Sequence, residues 1–162
     1  MIITRLIGGL GNQMFQYALG RALALRNRTE LKLDLHLLLD RTPLPGMVFR
    51  DFDLSVFRIR AEAAPKEEIP FLYRMHMSGS LSIRLDHVRR RCVWNPGRER
   101  HFHFDSSVLR LRDGAYLEGY WQSPKYFEDI DHIIRDDFSF VTPMPAHVLE
   151  LEKRIADSDS TC

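Results

Sequence analysis

Cysteine is scarce in this sequence. The 162 residues include only Cys92 and Cys162, which do not form a C-x-x-C pair. Neither a disulfide framework nor a zinc site is indicated, and a reducing compartment fits this usage. No apolar run approaches the roughly 20 residues that a membrane-spanning helix needs. The first residues carry no basic leader, and Gly8, Gly9 and Gly11 interrupt the apolar stretch, unlike in a signal peptide. We therefore expect a cytoplasmic protein.

An excess of charge of one sign is also absent. The sequence has 23 basic and 22 acidic side chains, which gives a net charge of +1 at pH 7. This balance excludes a generally basic nucleic-acid binder, and no nucleic-acid partner is predicted. Hydrophobic residues at 44% and charged residues at 28% are typical of a globular domain with a core of ordinary size.

The first 35 residues have the pattern of a βαβ unit. Residues 2–7 are rich in aliphatic side chains and predict a buried strand that ends at Gly8 and Gly9. Residues 12–26 have apolar side chains at helical spacing, with Asn12 as the predicted N-cap. Residues 30–35 alternate between charged and apolar side chains, and this pattern predicts a second strand. Such a unit predicts an α/β fold, with a Rossmann-like parallel sheet and flanking helices.

The middle of the chain has weaker signals. Residues 41–46 contain two prolines and predict a loop, whereas residues 52–57 fit either a short strand or a buried helical turn. Short helices are predicted after Pro65 and near Phe71. The sequence Asn95-Pro96-Gly97 is typical of a turn.

Regular structure is predicted again from residue 115 onward. Residues 115–121 predict a strand, and Ser123 with Pro124 is a signature of a helix N-terminus. That helix is predicted to carry one apolar stripe, formed by Phe127, Ile130, Ile134 and Phe138. A last helix at residues 146–156 is predicted to bury Val148, Leu151 and Ile155.

The glycine-rich turn after the first strand is the strongest chemical signal. Its glycines allow a ligand to approach the backbone closely, and the helix that follows points free N–H groups at the turn, which suits phosphate. The predicted binding residues are Gly9, Gly11, Asn12 and Gln13, since amides at a helix N-terminus both donate and accept hydrogen bonds. Helix capping for Asn12, a surface position for Gln13 and plain packing of the turn remain open alternatives.

Two common nucleotide-binding motifs do not fit this turn. A dinucleotide fingerprint needs a third glycine where Met14 stands, although Asp34 follows at the expected distance. A P-loop needs a lysine after its last glycine, and the first lysine of the chain is Lys32. The interpretation of the chain as a small nucleotide-binding oxidoreductase is therefore supported only by the βαβ pattern of its first 35 residues.

Residues 8–18 read GGLGNQMFQYA, and residues 116–127 read YLEGYWQSPKYF. Both segments resemble the bacterial α-1,2-fucosyltransferases of glycosyltransferase family eleven, and the first matches the opening motif of that family at every position. The second resembles its central segment, and residues 52–57 lie where the family has a short aromatic stretch. The similarity extends along nearly the whole chain.

The resemblance implies a GT-B-like enzyme of two Rossmann-like domains that face a cleft. It implies inverting transfer of fucose from GDP-fucose to the 2-hydroxyl of a galactose, in a glycan or lipopolysaccharide-type acceptor, without a metal or another cofactor. The family's nucleotide-sugar motif, His-x-Arg-Arg-Gly-Asp-Tyr, is absent from this sequence. We therefore interpret residues 1–162 as the N-terminal domain of such an enzyme, a fragment with little or no activity alone. A catalytically dead sugar-binding or scaffold domain is the alternative.

The segment after the central strand predicts acceptor contacts. Tyr120, Trp121 and Gln122 lie at the carboxyl end of that strand, where open parallel sheets form ligand crevices. Aromatic rings stack on sugars and an amide bonds their hydroxyls, although core packing is an alternative for Trp121. Glu118 is a weak candidate for a catalytic base, with a structural carboxylate as its alternative. No other catalytic residue is identified.

A basic and histidine-rich stretch covers residues 87–103. We interpret it first as a solvated charged face. Its functional alternative is contact of Arg89, Arg90 and Arg91 with a membrane surface that carries a lipid-linked acceptor, which would make the protein peripheral on the inner face of the membrane. His101 and His103 lack the carboxylate partners of a metal site, and no metal is predicted.

Overall fold

In the part of the chain that the structure describes, five strands form a parallel sheet. The computed structural model describes residues 1–42, 48–70, 73, 96–99 and 101–157. The strands are β1 (Ile2–Arg5), β2 (Leu31–Asp34), β3 (Glu62–Ala63), β4 (Pro96–Arg98) and β5 (Tyr116–Glu118). Their order in the sheet is β3-β2-β1-β5-β4, and every pair is parallel. The predicted α/β fold with a Rossmann-like parallel sheet is confirmed, whereas its place in a two-domain enzyme stays a prediction.

Helix α1 (Leu10–Asn27) connects β1 to β2 and packs on the sheet. It begins two residues earlier than predicted, with Gly9 as its N-cap, so the prediction that Asn12 caps the helix is wrong. The helix ends at Asn27, and the C-cap Arg28 has a left-handed backbone that directs its N–H to the carbonyls of Ala24 and Leu25. The predicted βαβ unit is thus present.

The core lies between α1, the sheet and the segments that follow β5. Leu19, Leu23, Leu33 and Leu117 are at most 1% exposed within it. Removal of this apolar surface from water is the main favourable term in folding. Partly buried aromatic side chains close the edges of the core, namely Phe52, Phe104, Phe127 and Phe138.

Two of the short elements differ from their predictions. The turn predicted at Asn95-Pro96-Gly97 is wrong for Pro96 and Gly97, because they begin β4, and β4 is an edge strand where proline costs no ladder hydrogen bond. The helix predicted after Pro65 is a turn at residues 66–68, and the preceding β3 was not predicted. Residues 53–56 form a single 3-10 turn with Leu54 fully buried, which decides between the two alternatives for that segment.

The helix predicted after Ser123 is broken into three pieces. Two 3-10 turns, Pro124–Tyr126 and Glu128–Ile130, precede helix α2 (Asp131–Asp137). Phe127 and Ile130 leave helical dihedral angles between these pieces, and both pack against the core. The apolar stripe is therefore present, but packing of its side chains takes precedence over a regular helix.

Helix α3 (Ala146–Asp157) does not bury the residues predicted for it. Leu151 is 50% exposed and Ile155 is 73% exposed, whereas Val148 is partly buried. The prediction of a buried face was wrong for Leu151 and Ile155, because an amphipathic spacing does not by itself bury a helix face. No helix within the described ranges combines the length and the apolar character needed to cross a membrane.

Several predictions lie outside the described residues. They concern the basic cluster of Arg89, Arg90 and Arg91, most of the loop at residues 41–46 and the helix near Phe71.

Candidate functional site

The loops that follow β1 and β5 meet at the point where the strand order reverses. From β1 the chain crosses to β2 on one side, and β5 pairs with β1 on the other. Ligands of open parallel sheets bind outside the carboxyl ends of strands at such a switch point. Both segments with a family resemblance therefore reach the edge of the sheet where a site is expected.

Gln16 joins these two loops from within. Its side chain is fully buried in α1. Its Nε2 donates to the carbonyls of Ile7 at 3.2 Å and Gly119 at 3.1 Å, and its Oε1 accepts from the Ile7 N–H at 3.0 Å. One amide thus satisfies backbone groups of both loops, which would otherwise be buried without partners.

The glycine loop has open space beside its second and third glycines. Gly8 has a φ of +80°, which only glycine adopts without strain, and a side chain there would collide with Asn12. Among the described residues, a Cβ at Gly11 would meet no atom within 4 Å, and one at Gly9 would meet only the Arg50 guanidinium, at 3.8 Å from Nη1. The first turn of α1 contains no acidic residue. An anion can therefore approach the positive end of this helix.

Gln13 does not face this open space. It is fully buried, and its Nε2 donates to the carbonyls of Gly8 at 3.0 Å and Asp51 at 2.8 Å. Its Oε1 accepts from the Asp53 N–H at 3.0 Å. The amide thus holds residues 51–53 against the start of α1, and it shapes the glycine loop from behind.

Asn12 and Gln122 connect the two loops at the surface. Gln122 Nε2 donates to Asn12 Oδ1 at 2.7 Å. Asn12 is partly buried and Gln122 is exposed. Asn12 is a predicted contact of the sugar nucleotide, and Gln122 is a predicted contact of the sugar that receives the transferred group. The structure therefore joins these two residues by a direct hydrogen bond.

The loop after β5 is held in a strained conformation. Trp121 has a φ of +57°, which is uncommon for a bulky residue. Its ring is 1% exposed and meets Tyr126 edge-on at 5.7 Å between ring centroids, and its Nε1 has no hydrogen-bond partner among the described residues. Trp121 packs in the core, whereas Tyr120 is partly exposed beside it.

A cleft of about 320 Å³ opens beside this loop, at the carboxyl ends of β4 and β5. Its volume is within the usual range of ligand pockets, about 300 to 1,000 Å³. Glu118 and Tyr120 line it, and so do residues that no sequence signal had singled out as sugar contacts: Arg98, Glu99, His101 and Phe102.

A buried charge network lies under the floor of the site. Arg5, 7% exposed at the end of β1, donates to Glu118 Oε1 at 2.8 Å and to the Tyr73 carbonyl at 2.7 Å. Its Nε is 3.6 Å from Asp34 Oδ2, and Asp34 also accepts from the Tyr116 hydroxyl. Burial raises the pKa of Tyr116. Glu118 is therefore a cleft carboxylate whose position depends on Arg5.

Register explains this network. Arg5 lies opposite Asp34, and Arg98 lies opposite Glu118 in the neighbouring strand pair. The carboxyl ends of four adjacent strands thus carry charges of alternating sign. In the sequence, each of these strands ends with a charged residue. That pattern does not show which charged residues are neighbours, because their proximity depends on the strand order.

Among the described residues, no group of three or more His, Cys, Asp or Glu side chains is arranged to hold a metal ion. His101 and His103 lie with ring centroids 6.5 Å apart.

Comparison with known proteins gives one short similarity to a glycosyltransferase. Over 35 residues, 22% of this chain, the sequence is 57% identical to an alpha-1,2-colitosyltransferase from Escherichia coli, and the match spans 12% of that enzyme. No family model matches the chain, and no solved structure matches it. The match supports a relationship to glycosyltransferases, which is the coarse part of the prediction. The fucosyltransferase family stays a prediction, because so short a stretch does not assign it.

Proposed function

We propose that this chain is part of an α-1,2-fucosyltransferase, which moves fucose from GDP-fucose to the 2-hydroxyl of a galactose with inversion. The observation that carries the proposal is the meeting of the two family-like segments at one edge of the sheet. Asn12 and Gln122 lie 110 positions apart and share a hydrogen bond there. The identity to the colitosyltransferase supports the glycosyl-transfer part of the proposal.

The glycine loop is the proposed contact for the donor diphosphate. Gly9 and Gly11 leave room for phosphate oxygens next to the N–H groups of α1. Arg50 lies beside Gly9 and supplies a positive charge to the same space. Asn12 contributes a side-chain amide to the contact, whereas the buried Gln13 bonds backbone groups and fixes the conformation of the loop.

The loop after β5 is the proposed acceptor side. Tyr120 and Glu118 line the cleft, and Gln122 lies exposed beside the donor loop. In an inverting transfer the acceptor hydroxyl gives its proton to a base, its oxygen bonds to the anomeric carbon, and GDP leaves with the bonding electrons. Glu118 is the proposed base, held at 2.8 Å by Arg5. Trp121 supports the loop from the core.

Binding of GDP-fucose to the whole chain tests the donor half of this proposal. Saturation-transfer NMR is expected to give a Kd of about 1 mM, equivalent to about 4 kcal/mol of binding. Arg50→Ala is expected to raise the Kd for GDP-fucose several-fold, since loss of a charge-assisted contact costs about 1 kcal/mol or more. Arg58→Ala, which removes an exposed arginine outside the loop, is the matched control. Equal binding of ADP-glucose and GDP-fucose, or no binding of either, would contradict the proposal.

Donor sugar and linkage need a transfer assay. We expect little or no fucose transfer to lactose by this chain alone, because the motif His-x-Arg-Arg-Gly-Asp-Tyr is absent from its sequence. Measurable transfer would contradict that expectation, and NMR of the product would give the linkage. Nucleotide-activated colitose in the same binding experiment shows which of the two sugars is preferred.

A catalytically inactive sugar-binding domain is the second proposal, supported by the cleft that Tyr120 and Glu118 line. It predicts galactoside binding without any GDP-fucose binding. The same NMR samples therefore distinguish the two functions.

A further inference from the structure

The cleft beside β4 and β5 contains an aromatic side chain that packing does not explain. Phe102 is 75% exposed, more than any other large apolar side chain described, and it lines the cleft together with Tyr120. An exposed phenylalanine on a flat surface is ordinary, but one in a concave site with polar neighbours is typical of ligand pockets.

The charges of the cleft favour a neutral ligand. Glu99 and Glu118 contribute two carboxylates, and Arg98 contributes one guanidinium with its Nε 3.6 Å from Glu118 Oε2. The buried Arg5 also donates to Glu118, so these charges balance and leave no excess of positive charge for a phosphate. Sugar hydroxyls instead donate to carboxylates and accept from a guanidinium.

Glu99 fixes the backbone of the loop on which Tyr120 lies. Its Oε2 accepts from the Tyr120 N–H at 2.7 Å, and its Oε1 accepts from the Trp121 N–H at 3.1 Å. The carboxylate thus holds the turn in which Trp121 has its strained, positive φ. Gly119 permits this contact, because a side chain there would collide with Glu99.

From these contacts we infer that the cleft binds the pyranose ring of the galactoside acceptor, with Phe102 as a stacking surface and Glu99 as a positioning residue. This inference rests on the proposed function and adds residues that neither the sequence nor the comparisons indicate. The apolar face of the sugar packs on the Phe102 ring, while Glu118 and Arg98 bond its hydroxyls. The donor diphosphate is thereby excluded from this cleft and stays at the glycine loop.

Titration of the whole chain with methyl β-galactopyranoside tests the role of Phe102. By NMR, Phe102→Ala is expected to raise the Kd about tenfold, which corresponds to about 1.4 kcal/mol. Phe102→Trp keeps an aromatic face and is expected to retain binding. Phe140→Ala is the matched control, because Phe140 is 44% exposed and does not line the cleft. Binding by Phe102→Ala at wild-type strength would overturn the inference.

Glu99→Gln tests positioning separately from stability. Glutamine retains one acceptor oxygen, so the variant is expected to weaken galactoside binding and leave the Kd for GDP-fucose unchanged. An equal loss for both ligands would indicate a general structural role and contradict positioning. If the wild-type chain binds GDP-fucose but no galactoside, the inference fails and the donor half of the proposed function stands. If it binds galactoside through Phe102 but no GDP-fucose, the inference stands and the donor half of the function fails.

Discussion

Gly8 and Gly11 lie three positions apart in one loop, but their environments differ. Gly8 has a positive φ and lies against Asn12, whereas Gly11 is in the first turn of α1 with open space beside it. Gly8→Ala is expected to destabilise the fold by at least about 1 kcal/mol, because alanine is strained at this φ. Gly11→Ala is expected to stabilise it by up to about 1 kcal/mol, since alanine favours the helix. Urea unfolding measures both changes.

The same pair of variants separates folding from binding. If phosphate occupies the space beside Gly11, the Gly11→Ala chain is more stable but binds GDP-fucose more weakly. An unchanged Kd in that variant would show that the ligand does not approach Gly11. A Gly8→Ala variant as stable as the wild type would contradict the described backbone of the loop.

Side-chain roles in this loop depend on distant partners. The motif indicates that Asn12 and Gln13 are important amides, but their contacts lie elsewhere in the chain. Gln13 bonds backbone groups of Asp51 and Asp53, and Asn12 bonds Gln122. Sequence spacing alone therefore did not distinguish an amide that faces a ligand from one that fixes the loop.

At the scale of secondary structure, burial decides the effect of truncating a helix residue. Leu23 in α1 is fully buried, whereas Leu151 in α3 is 50% exposed. Leu23→Ala is expected to cost about 2 to 5 kcal/mol. Leu151→Ala is expected to change stability by less than about 0.5 kcal/mol, as exposed positions do. Thermal or urea unfolding checks both, and a large loss in Leu151→Ala would show that its face is covered.

Elements defined by local pattern were predicted, and elements defined by distant contacts were not. The strand, turn, helix and strand of the first 35 residues follow from glycine placement and apolar spacing. The strand β4 did not, because Pro96 and Gly97 are typical turn residues and extend only by pairing with β5. The kinks at Phe127 and Ile130 arise from packing against the core. The cleft depends on strand order, which is why Phe102 and Glu99 were missed.

At the scale of the whole molecule, three buried tyrosines predict sensitivity to alkali. Burial raises the pKa of Tyr17, of Tyr116 and of Tyr126 above the ordinary value near 10. Above about pH 10 the unfolded chain releases phenol protons that the folded chain retains, so the free energy of unfolding falls as pH rises, by up to about 1.4 kcal/mol per pH unit for each proton. Below that pH these groups add no pH dependence.

Urea unfolding between pH 8 and pH 11 measures this decline. Tyr17→Phe removes one of the three titrating groups. It is less stable at every pH because the hydroxyl bonds Asp137 and the Arg60 N–H, but its alkaline slope is expected to be shallower. An identical slope in the variant would show that Tyr17 does not contribute.

The buried amide of Gln16 has a consequence for how the two halves of the site communicate. It bonds Ile7 and Gly119 at once, so the loops after β1 and β5 share one rigid support. A ligand that reduces the motion of one loop also lowers the entropy cost of ordering the other. We therefore expect nucleotide sugar and galactoside to bind cooperatively, and thermodynamic linkage requires each to raise the affinity for the other by the same factor.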